Sequence, residues 1–344
     1  MFRTRLTPRA SLTGPPSDAS FRSPWWLPGA HLQTIVPALL ARRAVVDYER
    51  ERWDTPDGDT IDVDRVGTGG ASTPLLIVFH GLEGSARSRY VRGLMAAATT
   101  RGWSGLVPHF RGCGGTANRL PRFYHSGDSA EVDWIVRRLA AERAAVVPKP
   151  APLLVVGISL GGNMVLKWLG EQGGDARGLV TAAAAISAPM DLSASGASLG
   201  RGFNRVYAQM FLRTLKAKSR AKLVQHADLF DRASMEAART LHAFDDVVTA
   251  PLHGYRDADD YWLRASSKPL LRRIEVPTLV LNARNDPFLP AEALPRDGEV
   301  SASVTLDFPA FGGHVGFLHA GPGGAQWMPR RVARFLSARV PPSS

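Results

Sequence analysis

Cysteine is almost absent from this chain of 344 residues, since Cys113 is the only one. A single cysteine excludes an internal disulfide framework, a cysteine-based structural zinc site and a Cys-x-x-Cys redox pair. No stretch reaches about 18 uninterrupted apolar residues, so the sequence predicts no transmembrane helix. Residues 1–20 lack the apolar core of a secretory signal, and we interpret them as the flexible tail of a cytoplasmic protein.

Lysine is also scarce, because it supplies only six of the 42 basic residues. The 31 acidic residues leave a formal net charge of +11, and a basic surface can attract nucleic acid or anionic membranes. Since the charge is spread along the chain, we expect no nucleic-acid partner. One dense cluster fits either a solvated helix face or peripheral contact with an anionic membrane, worth up to ~1 kcal/mol per charge; it consists of Arg213, Lys216, Lys218, Arg220 and Lys222.

Hydrophobic residues make up 44% of the chain, which is enough for a substantial core. From about residue 44, strand-like apolar runs alternate with helical patterns. The predicted strands are 45–53, 60–66, 75–79, 104–107, 153–156, 180–186, 276–281 and 304–308. This alternation predicts an α/β fold with a mostly parallel sheet covered by helices. Any functional site should then lie at the carboxyl ends of the strands.

Residues 190–265 interrupt the alternation because they are predominantly helical. We interpret them as a helical cap inserted between two parts of the α/β core, residues 21–189 and 266–340. One helical face of the cap is apolar, and it fits either the wall of an acyl pocket or ordinary core; it carries Phe203, Val206, Tyr207, Met210 and Phe211.

The strongest local signal is Gly157-Ile158-Ser159-Leu160-Gly161, between an apolar strand and a helix. A G-x-S-x-G pattern in this context is typical of the nucleophile elbow, in which a sharp turn exposes the serine above the sheet. The glycines remove side chains that would collide where strand and helix cross. We therefore predict Ser159 as a nucleophile, the alternative being an ordinary turn that happens to contain serine.

A serine hydroxyl needs a neighbouring base and a group that orients that base. His314 lies in a glycine-flanked loop after the last predicted strand, whereas the other histidines lie early in the chain, in the cap or, as His319, further into a helix. Asp286 follows the preceding strand, and Asp191, after the strand ending near Ser187, is its rival. With Asp286 the chain order is serine, aspartate, histidine, as in α/β-hydrolases.

Acyl transfer also needs hydrogen-bond donors for the oxyanion. The sequence predicts two, the backbone N–H of Leu160 and that of Leu82 in the loop after the third strand. His80 in that loop is predicted to brace it by hydrogen bonding. Cys113 lacks an elbow and is a weaker candidate nucleophile.

Seven segments resemble successive landmarks of the YheT-like, type-4 group of α/β-hydrolases: 25–35 (WWLPGAHLQTI), 80–85 (HGLEGS), 110–115 (FRGCGG), 157–163 (GISLGGN), 249–255 (TAPLHGY), 285–288 (NDPF) and 312–314 (GGH). The resemblance implies carboxylic-ester hydrolysis through Ser159, Asp286 and His314. The single glycine before Leu82 resembles the class that favours medium or long acyl chains. Asn285 departs from the pattern, because relatives often carry a second aspartate there.

Three functions fit these observations: hydrolysis of medium-chain acyl or acylglycerol-like esters, acyl transfer to an alcohol through the same acyl-enzyme, and a binding module that has lost catalysis. The expected partner is a small-molecule acyl ester. We expect no cofactor and no metal, since the chain has neither an HExxH zinc motif nor a P-loop.

Overall fold

The centre of the molecule is an eight-stranded sheet in the order β1-β2-β4-β3-β5-β6-β7-β8. The computed structural model describes residues 20–40, 44–321 and 323–341, so the expected tail at 1–20 lies outside the described residues except for Ser20. The strands are β1 Glu49–Asp54, β2 Thr60–Val66, β3 Leu75–Phe79, β4 Ser104–Pro108, β5 Leu153–Ile158, β6 Ala182–Ile186, β7 Thr278–Leu281 and β8 Val304–Asp307. Only the pairings of β2 with β1 and with β4 are antiparallel. The predicted mostly parallel α/β fold is confirmed.

Helices cover both faces of the sheet. They are α1 Gly29–Leu40, α2 Arg89–Thr99, α3 Ser129–Val146, α4 Leu160–Gln172, α5 Leu192–Leu199, α6 Asn204–Gln225, α7 Arg232–Ala237, α8 Leu241–Phe244, α9 Ala250–Leu252, α10 Ala258–Ala265 and α11 Trp327–Ser337. On β3, Leu75 and Ile77 pack with α3 and α4 on one face, while Leu76 and Val78 pack with α2 and α11 on the other. Burial on both faces explains why this strand is a continuous apolar run.

The first predicted strand was given too early a start. The first strand begins at Glu49 rather than near residue 45, and its arginines pair across to β2, with Arg50 Nε 2.6 Å from Asp64 Oδ1. Asp128 precedes α3 but makes no capping hydrogen bond with its side chain. Its carboxylate instead accepts a hydrogen bond from Arg122 Nη2 at 2.7 Å.

The predominantly helical stretch between β6 and β7 contains α5 to α10. It follows β6 directly and therefore starts at the carboxyl edge of the sheet. Within residues 20–40, 44–321 and 323–341, no helix has the length and hydropathy needed to cross a bilayer.

The basic cluster of α6 is only partly exposed, and its contact with an anionic membrane stays a prediction. Lys222 is buried at 2% exposure. Lys218 Nζ lies 2.7 Å from Glu83 Oε1, and Arg220 forms an ion pair with Glu236. Lys218 and Lys222 therefore hold α6 against the core, whereas Arg213 and Arg220 remain exposed.

A buried ion cluster secures the loop after β4. Arg111 contacts Asp59 Oδ2 at 2.9 Å and Glu131 Oε2 at 3.0 Å, and all three side chains are at most 4% exposed. Removing one member of such a cluster leaves uncompensated buried charge, which is costly in a low-dielectric interior.

We therefore expect Arg111→Met to lower the free energy of unfolding by about 3–5 kcal/mol, measured by urea denaturation. Arg137→Met is the matched control, because Arg137 is 48% exposed in its pair with Asp133 and should cost about 0.5 kcal/mol or less. Equal losses in the two variants would contradict the assignment of Arg111 to the stability of the core.

Candidate active site

Ser159 occupies a strained turn between β5 and α4, with φ 52° and ψ −120°. A β-carbon at position 157 would lie 2.3 Å from the Gly161 carbonyl oxygen, and one at 161 would lie 2.5 Å from the Phe79 carbonyl oxygen. Only glycine fits at either place. The turn is further held by the Ser159 amide, which donates to the Ile186 carbonyl at 2.8 Å. The backbone therefore presents the hydroxyl at the carboxyl edge of the sheet.

The structure brings together the three side chains predicted from the sequence. Ser159 Oγ lies 2.9 Å from His314 Nε2, across 155 residues of chain. His314 Nδ1 lies 2.9 Å from Asp286 Oδ2, and the other carboxylate oxygen of Asp286 accepts the Phe288 amide at 2.8 Å. The rival Asp191 instead caps α5, where Oδ1 accepts the Ala194 amide at 3.0 Å.

The hydrogen-bond partners fix the tautomer of His314. An ionised carboxylate can only accept, so Nδ1–H donates to Asp286 and the lone pair of Nε2 faces the Ser159 hydroxyl. This arrangement can remove the hydroxyl proton as the oxygen attacks a carbonyl. In the described part of the chain, no group of three or more His, Cys, Asp or Glu residues is arranged to hold a metal ion.

The two predicted oxyanion donors, Leu82 and Leu160, both line the cleft that contains Ser159 and His314. Across the described ranges, neither backbone N–H donates to another protein group. A β-carbon on Gly81 would lie 3.2 Å from that of Ser159, so the loop passes directly against the nucleophile. Leu160 also begins α4, whose N-terminus carries partial positive charge. Both amides are thus available to a developing oxyanion.

His80 braces the loop that carries Leu82. Its Nδ1 donates to the Gly81 carbonyl at 2.8 Å, and its Nε2 accepts the Phe110 amide at 3.2 Å. Burial lowers the pKa of His80 to about 3, so the ring is neutral at physiological pH and keeps this pattern of one donor and one acceptor.

Tyr124 and Lys218 of α6 also hold the loop that carries Leu82, and the sequence did not predict these contacts. Glu83 has φ 55°, and its amide donates to the Tyr124 hydroxyl at 2.9 Å. Tyr124 in turn donates to the Glu83 carboxylate, which also binds Lys218 of α6. Cys113 lies here, 3.2 Å from Lys218 Nζ. Burial raises the pKa of its thiol, which disfavours the thiolate that a cysteine nucleophile requires.

The cleft beside Ser159 has about 850 Å³ of empty space, part of which is open to solvent. Its walls are mainly apolar and come largely from α5, α6 and α8; they include Leu192, Leu199, Phe211, Leu215, Leu241, Phe244, Trp262 and Phe288. The apolar face predicted on the cap divides between two environments. Phe211 lines the cleft and Tyr207 packs on Phe288 with ring centres 4.9 Å apart, whereas Phe203, Val206 and Met210 are exposed.

Two further side chains of the cleft were not anticipated from the sequence. The Phe288 ring stacks on His314 with centres 4.1 Å apart, and the pattern NDPF gave its position but not this role. Asp245 is partly buried on a π-helical turn, where it accepts hydrogen bonds from Thr249 at 2.6 Å and from the Trp262 indole at 2.9 Å. Burial raises its pKa to about 6.

Known proteins resemble this chain over most of its length. The family model described as the alpha/beta hydrolase fold matches residues 74–320. The chain is 38% identical to the Escherichia coli (strain K12) protein YheT, over 94% of this chain and 93% of that protein. It is 29% identical to mouse phospholipase ABHD3, over 90% of this chain and 76% of that one. The structure of the Pyrococcus furiosus esterase Pf2001 aligns with a TM-score of 0.55 at 17% identity, over 86% of this chain and 94% of that one.

The buried His80 should make stability depend on pH. Its pKa is about 3 in the folded chain and about 6.5 when exposed, so the unfolded chain binds the proton more tightly. The free energy of unfolding should therefore fall below about pH 6.5, with a slope from this residue of up to about 1.4 kcal/mol per pH unit.

His80→Asn keeps a side-chain donor but cannot take up that proton. We expect it to be less stable than the wild type at pH 7.5 and to lose less stability between pH 6.5 and 4, as measured by urea denaturation. The half-buried His226 provides a control in His226→Asn, which leaves His80 in place and should therefore keep the loss of stability below pH 6.5. If His80→Asn kept the wild-type pH dependence of stability as well, the assignment of that dependence to His80 would be wrong.

Proposed function

The chain belongs to the α/β-hydrolase fold family, within its YheT-like group, and we propose that this carboxylic ester hydrolase cleaves medium-chain acyl or acylglycerol-like esters through an acyl-enzyme on Ser159. The observation that carries the proposal is the continuous hydrogen-bonded series from Ser159 through His314 to Asp286 at the wall of an apolar cleft. Relatives named phospholipase and monoacylglycerol lipase support lipid-like esters as the substrate class.

In the first half-reaction, His314 takes the hydroxyl proton through Nε2 as Ser159 Oγ attacks the ester carbonyl. The carbonyl oxygen becomes an oxyanion that the N–H groups of Leu82 and Leu160 stabilise. His314 then gives the proton to the departing alcohol, which leaves an acyl group on Ser159. Loss of one oxyanion donor costs on the order of 10²–10³ in rate in a measured case.

In the second half-reaction, water attacks the acyl-enzyme and His314 again moves the proton. Asp286 keeps Nδ1 protonated and stabilises the imidazolium that forms in each step. An alcohol could replace water at this stage, because the acyl-enzyme is the same. Hydrolysis in the presence of added ethanol, with the ethyl ester measured alongside the free acid, gives the partition between the two acceptors.

The shape and lining of the cleft support an acyl chain as the occupant. Small-ligand pockets are lined mainly by apolar side chains with a few polar groups, and this cleft combines a mainly apolar wall with Ser159 and His314. We propose that residues 190–265 act as a cap that completes this acyl site, since α5, α6 and α8 provide most of its apolar wall.

Ser159→Ala should abolish labelling by a fluorophosphonate probe and lower kcat for p-nitrophenyl octanoate by about 10⁴-fold or more, because no other nucleophile replaces the hydroxyl. The exposed Ser193 offers a control in Ser193→Ala, which should label as the wild type does. Persistent labelling of Ser159→Ala would place the reactive group elsewhere, and a wild type that neither labels nor hydrolyses esters would favour a binding role.

Leu215→Trp should shift the chain-length preference toward shorter acyl groups, because the larger side chain narrows the cleft. Across p-nitrophenyl esters from C2 to C16, we expect kcat/KM for the C10 ester relative to C4 to fall roughly 10-fold, within the range of discrimination available to an apolar pocket. Val224→Trp is the control on the same helix, since Val224 is 88% exposed. An unchanged chain-length profile in Leu215→Trp would mean that the acyl chain lies outside this cleft.

A further inference from the structure

A segment near the N-terminus contacts both loops that complete the candidate active site. Gln33 and Thr34 lie in α1, before the residues 74–320 that match the family model. Both are buried, at 3% and 8% exposure. They lie more than 250 positions before Asn285 and His314, the residues that they contact.

Gln33 connects the loop that contains Asp286 to the loop that contains His314. Its Oε1 accepts two hydrogen bonds at 2.9 Å, one from Asn285 Nδ2 and one from the Gly312 amide. Its Nε2 donates to Ser23 Oγ at 2.8 Å and to the Leu27 carbonyl at 2.9 Å. Two donated and two accepted bonds satisfy the side-chain amide completely, so its orientation is fixed.

Thr34 holds His314 itself. Its hydroxyl donates to the Ala30 carbonyl at 2.8 Å, which leaves the oxygen to accept the His314 amide at 2.9 Å. Asn285 completes the connection, because its Oδ1 accepts the Gly313 amide at 3.0 Å. Three successive amides, those of residues 312, 313 and 314, are therefore held by side chains outside their own loop.

The loop needs such support because its backbone is strained. Val315 and Phe317 have φ values of 59° and 37°, and a non-glycine residue in this region costs of order 1–3 kcal/mol. The loop also packs closely against α1, because a β-carbon on Gly316 would lie 1.9 Å from the Gln33 carbonyl oxygen.

We propose that Gln33 and Thr34 are positioning residues that keep the His314 imidazole aligned with Ser159 and Asp286. Neither side chain touches the reacting atoms. They act through the backbone of residues 312–314 and through Asn285, which precedes the acid. This inference rests on the proposed function, since it concerns the alignment of the same base.

Thr34→Val tests the proposal, because it keeps the shape of the side chain and removes the acceptor for the His314 amide. A misplacement of about 1 Å can cost up to 10²-fold in rate, and we expect kcat for p-nitrophenyl octanoate to fall 10- to 100-fold with KM changed less than twofold. The acidic limb of the kcat/KM profile should move to lower pH, because Asp286 stabilises the imidazolium of a misaligned His314 less. Thr34→Ser, which retains the hydroxyl, should stay within threefold of the wild type.

Thr55→Val is the matched control for a loss of stability alone. Its hydroxyl also accepts a backbone amide, that of Asp59 at 2.9 Å, but in the turn between β1 and β2. We expect a similar fall in Tm from both valine variants and wild-type kcat in Thr55→Val. Rates are expressed per active site titrated with the fluorophosphonate, so that misfolded protein does not contribute.

Wild-type kcat and an unmoved acidic limb in Thr34→Val would overturn the proposal, as would equal losses in Thr34→Ser and Thr34→Val. Either result leaves the proposed ester hydrolysis intact, provided that the wild type titrates at Ser159. A wild type that fails to titrate overturns both proposals together, and the two failures are therefore distinguishable.

Discussion

One imidazole has to meet a hydroxyl and a carboxylate at the same time, although the chain separates them by 155 and 28 residues. A rotation that improved one contact of His314 would lengthen the other, so the ring needs support independent of both. Phe288 stacks on its face, and the amide of His314 is held by Thr34. The surrounding structure keeps both His314 contacts, to Ser159 and to Asp286, within hydrogen-bonding distance.

The parallel sheet solves the larger part of that problem. β5, β7 and β8 run in the same direction within four neighbouring strands, so the loops that follow them emerge at one edge. Ser159 follows β5, Asp286 follows β7 and His314 follows β8. Because each loop is short, the strand spacing determines where its side chain can reach. The helices between β6 and β7 then lie beside that edge and provide the apolar wall.

The site is built from backbone conformations that would be unfavourable elsewhere. Ser159, Glu83 and Val315 have positive φ values and lie in the turns or loops that carry the nucleophile, the oxyanion donors and the base. Ser187, which directly follows β6, also has a positive φ value. Buried polar groups hold these turns: His80 and Tyr124 bind the oxyanion loop, and the Ser187 hydroxyl accepts the Val315 amide at 3.0 Å. Stability gained in the two-sided hydrophobic core offsets this local strain.

Local pattern in the sequence was enough to predict the sheet, the serine turn and the residues that meet there. Apolar runs define strands through burial, and the glycines at 157 and 161 record a steric requirement that acts within a few residues. Contacts made at long range left no comparable pattern. From the sequence, Lys218 and Lys222 could be interpreted as surface charge, but in the structure α6 packs them against the core. The sequence around Gln33 and Thr34 likewise does not indicate which loops these residues contact. Hydrogen-bond partners of polar side chains depend on what folding brings near them, and therefore only the tertiary structure decided them.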